Sequence, residues 1–408
     1  MKKFIALLLA LLLVVSMVAC GAKEETAETA ESSATTEAIE GAFKIGGVGP
    51  LTGGAAIYGN AAANGAKIAV DEINALGGDI QFELNYQDDA HDAEKSVNAY
   101  NTLKDWGMQI FLGSVTSAPG VATSAESQAD NMFYLTPSAS STDVLGGVAN
   151  PLTGTVDIAR KANVFQLCFM DPAQGEASAD YINEKALGEK IAVIYKNDDV
   201  YSTGIYNTFA QKAEELGMEI VSTTTFTTDS QTDFSVQIAD AKDAGADLVF
   251  LPMYYDAASL IMTQANAVDY KPTFFGVDGM DGILTVEGFD TALAEGVILL
   301  TPFNADAADE KTQNFVAAYN AAYGEIPNQF AADGYDCVYA IYAAIQECGL
   351  TADMANEDIS AALIAKFSDE SFSFDGITGE AMSWGADGAV SKAPKGMIIQ
   401  DGAYVGLE

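Results

Sequence analysis

Residues 43–78 read FKIGGVGPLTGGAAIYGNAAANGAKIAVDEINALGG. Phe43 to Gly49 is a short apolar strand, and a turn built on Pro50, Gly53 and Gly54 follows it. From Gly59 to Leu76, the residues Ala62, Ala66, Ala69, Val70 and Ile73 recur at helical spacing, and Gly77-Gly78 stops the helix. Strand, glycine turn and helix in this order open an α/β unit. The same rhythm continues outward, with strand 80–87, helix 92–106, strand 109–112, helix 121–130 and strand 132–135. It restarts at Lys190 with strand 190–195, helix 203–216 ended by Gly217, strand 218–225, helix 233–244, strand 247–252, helix 257–267 and strand 273–275. Strands alternating with helices of ten or more residues mean parallel sheets joined by right-handed crossovers. Two such series predict two doubly wound α/β lobes. The tail differs: 309–323 and 329–348 are long helices and 371–405 is short strands and turns. No exact internal repeat is present.

The chain begins with Lys2 and Lys3, then an unbroken apolar run from Phe4 to Val15, then Ser16-Met17-Val18-Ala19-Cys20-Gly21. Twelve apolar residues make about 18 Å of helix against a hydrocarbon core of about 30 Å, so the run is a poor membrane span. Basic start, short apolar core and small residues before a break read as an export signal covering 1–19. Residues 22–42 are a different kind of segment: eighteen of the twenty-one are Ala, Glu, Ser or Thr. Such a stretch buries too little apolar surface to offset ordering and is expected to be a flexible spacer, with a reach of roughly 25 Å.

Of the 408 residues, 58 are acidic and 19 basic, for a net charge of −39. That field repels nucleic acid and anionic lipid surfaces. Removing the signal still leaves enough chain for two domains, each with its own core. Of the four cysteines, Cys337 and Cys348 fall in one helical stretch, about 16 Å apart along its axis, too far for a disulfide. Buried free thiols are expected at Cys168, Cys337 and Cys348.

Enzyme chemistry finds little support. Gly47, Gly49 and Gly53 after the first strand mimic a dinucleotide fingerprint, but their spacing is GxGxxxG and the loop carries Pro50, whereas the fingerprint needs GxGxxG. The single histidine, His91, lies in Asp88-Asp89-Ala90-His91-Asp92, a strand-to-helix turn that reads as a capping loop rather than a metal cluster. GxSxG, HExxH and Walker A patterns are absent. No enzyme, cofactor or metal is expected.

The opening stretch, followed in order by YQDDAHDAEKSVNAYN (86–101), GSVTSAPG (113–120), FYLTPSASS (133–141) and FFGVDG (274–279), resembles the leucine/isoleucine/valine-binding proteins, substrate-binding subunits of ATP-driven (ABC) importers. Ala19-Cys20-Gly21 likewise resembles the lipobox of bacterial lipoproteins, with Met17 where Leu is more usual. Cys20 would be lipidated and become the mature N-terminus, anchoring the chain to the extracytoplasmic face of the cell membrane.

The resemblance implies the type I periplasmic-binding-protein fold, two α/β lobes joined by a three-crossover hinge. Carried onto this chain, the crossovers fall near 166–169, 299–303 and 377–381. The N-lobe would be 43–167 plus 301–377 and the C-lobe 168–300 plus 378–408, after the lipidated cysteine and tether at 20–42. The ligand would be a branched-chain or related amino acid clamped between the lobes, and the partners a permease with a separate ATPase, since this chain has no P-loop. An amide, urea or another small solute is the alternative, as is a sensor without transport.

A free amino acid presents a carboxylate, an ammonium and a side chain. By the family match Ser117 holds the carboxylate, at a helix start that Pro119 marks and where free amides favour an anion. The Ser138 carbonyl receives the ammonium and Ser140 assists the carboxylate. A desolvated ammonium needs a paired acid. Asp278 fills that role, at a position where relatives often carry Glu. Tyr58, Tyr201 and Tyr254 match the aromatic wall.

Overall fold

The computed structural model describes residues 36–149 and 153–407. The expected signal, Cys20 and the spacer up to residue 35 lie outside the described residues. The elements run β1 (Phe43–Gly49), α1 (Ala56–Ala75), β2 (Phe82–Asp88), α2 (Ala93–Trp106), β3 (Ile110–Leu112), α3 (Ser117–Asp130), β4 (Tyr134–Thr136), α4 (Thr142–Leu145) and β5 (Val164–Gln166). Next come α5 (Asp171–Glu184), β6 (Lys190–Lys196), α6 (Val200–Leu216), β7 (Glu219–Phe226), α7 (Ser235–Asp243), β8 (Leu248–Leu251), α8 (Tyr255–Ala267) and β9 (Thr273–Gly276). The last part holds β10 (Ile298–Thr301), α9 (Glu310–Tyr323), α10 (Gln329–Cys348), α11 (Asn356–Phe367), β11 (Lys395–Gln400) and β12 (Ala403–Gly406).

The strands form two sheets. The first is five-stranded and all parallel, in the order β2-β1-β3-β4-β5. The second is seven-stranded, β12-β11-β10-β9-β8-β6-β7. Its β10-β9-β8-β6-β7 part is parallel, and β11 and β12 close the edge as an antiparallel hairpin. Successive residues feed opposite faces, as strand geometry requires. Leu112 and Ile194 join the large core cluster, whereas Phe111 and Val193 join two separate clusters on the outer faces. Both sheets are therefore covered on both sides.

The helix read from the opening stretch packs against α10 at very short range. A Cβ on Gly65 would lie 1.8 Å from the Ala331 carbonyl oxygen, and one on Gly334 would lie 2.2 Å from that of Ala62. Glycine on each helix lets the two backbones touch. Helix starts follow the capping rules: Asp92, Asp199 and Asn328 accept from Lys95 N, Ser202 N and Ala331 N, while Gly107, Gly217 and Gly349 end helices with positive φ.

Several expectations shift. Residues 36–42 are not free spacer: Thr36 N donates to Leu84 O at 2.9 Å, Leu84 N donates to Thr36 Oγ1 at 2.7 Å, and Ile39 N donates to Glu83 Oε1 at 2.7 Å. This segment satisfies edge groups of β2 that would otherwise be unpaired. Strand β5 and helices α5 and α11 went unread; β5 has three residues, and α5, DPAQGEASADYINE, carries few large apolar side chains.

The third passage between the sheets comes later than 377–381. Residues 382–390 stay on the first sheet: Trp384 Nε1 donates to Gln166 O at 2.9 Å, Gln166 N donates to Gly388 O at 3.0 Å, and the indole packs on Phe367 and Phe372. The chain crosses only between Val390 and Lys395, where Lys392 forms a buried ion pair with Asp333 of α10, Nζ to Oδ1 2.8 Å. Cys168 and Cys337 are buried free thiols and Cys348 is partly exposed.

Candidate functional site

Six connections that follow parallel strands, after β1, β3, β4, β6, β8 and β9, meet between the two sheets, the expected place for a ligand in an open α/β fold. The loop after β3 enters α3 with Thr116 as an extended N-cap residue and Ser117 as the first helical residue. No side chain caps this helix, because the Thr116 hydroxyl is turned to His91 Nδ1 at 2.9 Å. Ser117 Oγ accepts from Ser141 N at 3.2 Å. The start of α3, with no side-chain cap and no acidic residue in its own first turn, thus faces the cleft.

The loop after β4 is folded by Thr136, whose hydroxyl donates to Ser114 O at 2.6 Å and accepts from Ala139 N at 2.9 Å. That fold brings Ser138 and Ser140 to the cleft, with Ser140 Oγ buried.

From the second sheet, Asp278 opens the turn after β9 and is 3% exposed. Tyr201, in the first turn of α6, donates its hydroxyl to Asp278 Oδ1 at 2.5 Å and accepts from Gly279 N at 2.9 Å. Tyr254, the N-cap residue of α8, stacks on Tyr201 with centroids 4.7 Å apart, and its buried hydroxyl points to the Ser117 backbone at the start of α3. Tyr58 of α1 reaches across the cleft, donating to Gly279 O at 2.6 Å and accepting from Tyr255 N at 3.0 Å.

The structure brings all seven side chains named from the sequence, Tyr58, Ser117, Ser138, Ser140, Tyr201, Tyr254 and Asp278, to one cavity. Val115, Thr116, Gly279 and Phe330 complete its lining. Tyr255, the neighbour of Tyr254, turns instead to Gly54 O at 2.7 Å. The cavity measures about 10 Å³, room for about one water. An amino acid enters only if the loops of the two sheets part. A larger space of about 650 Å³ lies beyond the Asp278–Asp281 turn, walled by Ile57, Leu284, Phe303, Met397 and Tyr404. It does not contain the converging serines, tyrosines and Asp278.

An acid just behind the cavity lining also escaped the sequence reading. Asp171, the first residue of α5, is 1% exposed and has no cation partner; the Ser140 hydroxyl is the one side chain that eases its burial. Its backbone N–H donates to Ser140 O at 3.0 Å, and its charge acts on both Asp278 and Tyr254. Asp171-Pro172 is a helix-start signature, but with α5 itself unread nothing drew attention to it.

Burial pushes the Asp171 carboxyl well up. It also raises Asp278 to about 7 against the hydrogen bonds from Tyr201 and Gly279. Among the described residues neither acid forms an ion pair. Burial likewise raises Asp89 to about 7 and Asp281 and Asp333 to about 6.

These folded values exceed the ordinary carboxylate value of about 4, so the folded state holds protons more tightly than the unfolded chain. The stability they confer is complete below about pH 4 and is lost as pH rises through 6 to 7. The thermal midpoint of the ligand-free protein should therefore rise as pH is lowered from about 8 to about 5. A midpoint that falls over that range would contradict the buried state of these acids.

The glycines that mimic a dinucleotide loop lie inside or beside β1, where a Cβ on Gly47 would lie 2.3 Å from the Tyr86 ring. Gly47 and Gly49 serve strand packing, and Gly53 holds a positive φ in the turn that follows. The acids around His91 are spent on the turn: Asp88 accepts from Leu51, Thr52 and Ala90, Asp89 from His91 N, and Asp92 from Lys95 N. No group of three metal-binding side chains occurs among the described residues.

The chain is 27% identical to the Leu/Ile/Val-binding protein BraC3 of Rhizobium johnstonii over 334 residues, 81% of this chain and 86% of the relative. The solved structure of LivJ from Streptococcus pneumoniae, a branched-chain amino acid transporter substrate binding protein in complex with isoleucine, matches with a TM-score of 0.76 at 26% identity. It covers 90% of this chain and 100% of that one. A solute binding protein of an ABC transporter from R. palustris, in complex with benzoate, matches with a TM-score of 0.76 at 20% identity over 90% and 96% of the two chains, a likeness in fold alone. With two parallel-sheet lobes around a serine- and tyrosine-lined cleft, and a family model matching residues 42–400, the chain belongs to the periplasmic binding protein family.

Proposed function

We propose that this protein is an extracytoplasmic receptor of an ATP-driven importer and that its cleft takes a branched-chain or related amino acid. One observation carries the reading: two buried acids without a cation, Asp278 and Asp171, stand beside an uncapped helix N-terminus. An ammonium neutralises the acids. A carboxylate takes the amides of α3 with Ser117 and Ser140. The aliphatic side chain lies among Tyr201, Tyr254 and Phe330. An organic anion such as benzoate has no group for the two carboxylates.

Catalysis is not part of the role. Ligand bridges the loops of both sheets and shifts a hinge equilibrium toward the closed form, which the permease reads; a partner ATPase supplies the energy. Calorimetric titration of ligand-stripped protein tests the reading. Leu, Ile or Val should bind and the matching α-keto acids should not; equal binding of the keto acids would remove the ammonium from the account.

The same proposal includes a lipid at Cys20 as the membrane attachment. No helix among the described residues is long and apolar enough to cross a membrane. Cys20→Ala should move the protein from the membrane fraction to the soluble fraction or medium, seen by fractionation and immunoblot. Retention in the membrane fraction would contradict the anchor.

A further inference from the structure

We propose that His91 is a positioning residue for closure whose neutral form favours the closed cleft, so that ligand capture is coupled to loss of a proton. The assignment rests on the amino-acid reading above. His91 sits in the loop after β2, on the first sheet's side of the cleft. Its Nδ1 meets Thr116 Oγ1 at 2.9 Å, and Thr116 lines the cavity at the start of α3. Its ring stands edge-on to Tyr254, centroids 5.4 Å apart and planes at 82°. Tyr254 belongs to the second sheet's side and lines the cavity too. The chain's single histidine therefore joins the two sides immediately behind the pocket. Its backbone is held at φ 60°, a left-handed conformation that few side chains adopt, with His91 N bonded to Asp89 Oδ1 at 2.8 Å.

The charges around the ring come from three directions. Asp88, Asp89 and Asp92 lie on its own turn, and of these Asp92 favours the imidazolium. Lys196, at the end of β6, opposes it, and Asp199 and Asp256 sit beside Lys196. The α3 side offers only the Thr116 hydroxyl. His91 is only partly buried in the closed arrangement, but loss of water around the ring outweighs all of these and lowers it to about 4. When the second sheet's loops withdraw, Tyr254 leaves with them and the ring meets water, where an imidazole titrates near 6.5. The closed form thus binds fewer protons at this site, and acid favours the open form. Between about pH 6.5 and 4 each unit weakens capture by up to about tenfold, which amounts to a loss of up to about thirtyfold between pH 7.5 and 5.0.

Two measurements on the full mature chain test this. The first follows the single imidazole by NMR across pH, without and with saturating leucine. The expected result is an ordinary histidine pKa in the free protein and one more than a unit lower with leucine bound. The second compares leucine affinity from pH 7.5 to 5.0 in the wild type and in His91→Asn, since asparagine tolerates the left-handed backbone. The variant should bind more weakly at pH 7.5 but lose affinity less steeply toward acid, whereas Asp278 and Asp171 act alike in both proteins. An unchanged imidazole pKa on binding, or parallel pH profiles, overturns the assignment while leaving the amino-acid reading intact. Absence of binding heat at every pH with Leu, Ile and Val alike overturns that reading, and the His91 assignment with it.

Discussion

Asp278→Ala should weaken amino-acid binding by about 3–5 kcal/mol, two to three and a half decades of Kd, because it leaves an ammonium desolvated without its acid. The side chain is almost fully buried, and its rigid partners, the Tyr201 hydroxyl at 2.5 Å and the turn at Gly279, fix where the charge stands. Asp278→Asn separates charge from shape: it keeps the volume and a hydrogen bond to Tyr201 but removes the counter-ion, and should lose most of the same affinity. Both variants should keep the wild-type fold, because Asp278 holds Gln329 and Gln174 through its backbone O and N. A loss under tenfold in calorimetry would mean that another acid meets the ammonium.

Asp171→Asn should move stability and affinity in opposite directions. The carboxyl is buried without a cation, and the Ser140 hydroxyl offsets only part of that burial, so the protein carries a desolvation cost there. An amide in that place should raise ligand-free stability by about 1–3 kcal/mol, read by denaturant unfolding at pH 7.5. Leucine binding should weaken at least tenfold, since one of the two acids facing the ammonium is gone. If stability fell together with affinity, Asp171 would be a structural acid at the start of α5.

The sequence showed the alternating skeleton because long amphipathic helices and buried strands print their period. The helix at 329–348 was read to the residue, and α1 and its Gly77-Gly78 stop lie within a few residues of their places. Short or apolar-poor elements left no such print, which hid β5, α5 and, with α5, Asp171. The third crossing was misplaced because 382–390 adhere to the first sheet through one indole and its hydrogen bond to Gln166, an interaction between residues over two hundred apart. The docking of Thr36 and Ile39 on β2 is equally invisible to composition, which sees only a polar spacer. Tyr254 and Tyr255 are adjacent and alike; only the backbone at the start of α8 decides which one lines the cavity. His91 was legible as a member of a capping turn, but its reach to Thr116 and Tyr254 depends on the fold.

The central claim is that the cleft captures an amino acid by bringing two lobes together. Small-angle X-ray scattering of ligand-stripped protein, with and without a saturating amount of whichever of Leu, Ile or Val gives binding heat, tests it most directly. The described cavity of about 10 Å³ has no room for such a ligand, so the loops of the two sheets must separate to admit it and then approach again. The account expects a larger radius of gyration in the free protein and a fall on adding ligand, abolished in Asp278→Ala at the same ligand concentration. A radius of gyration that stays constant while binding heat is present would contradict it.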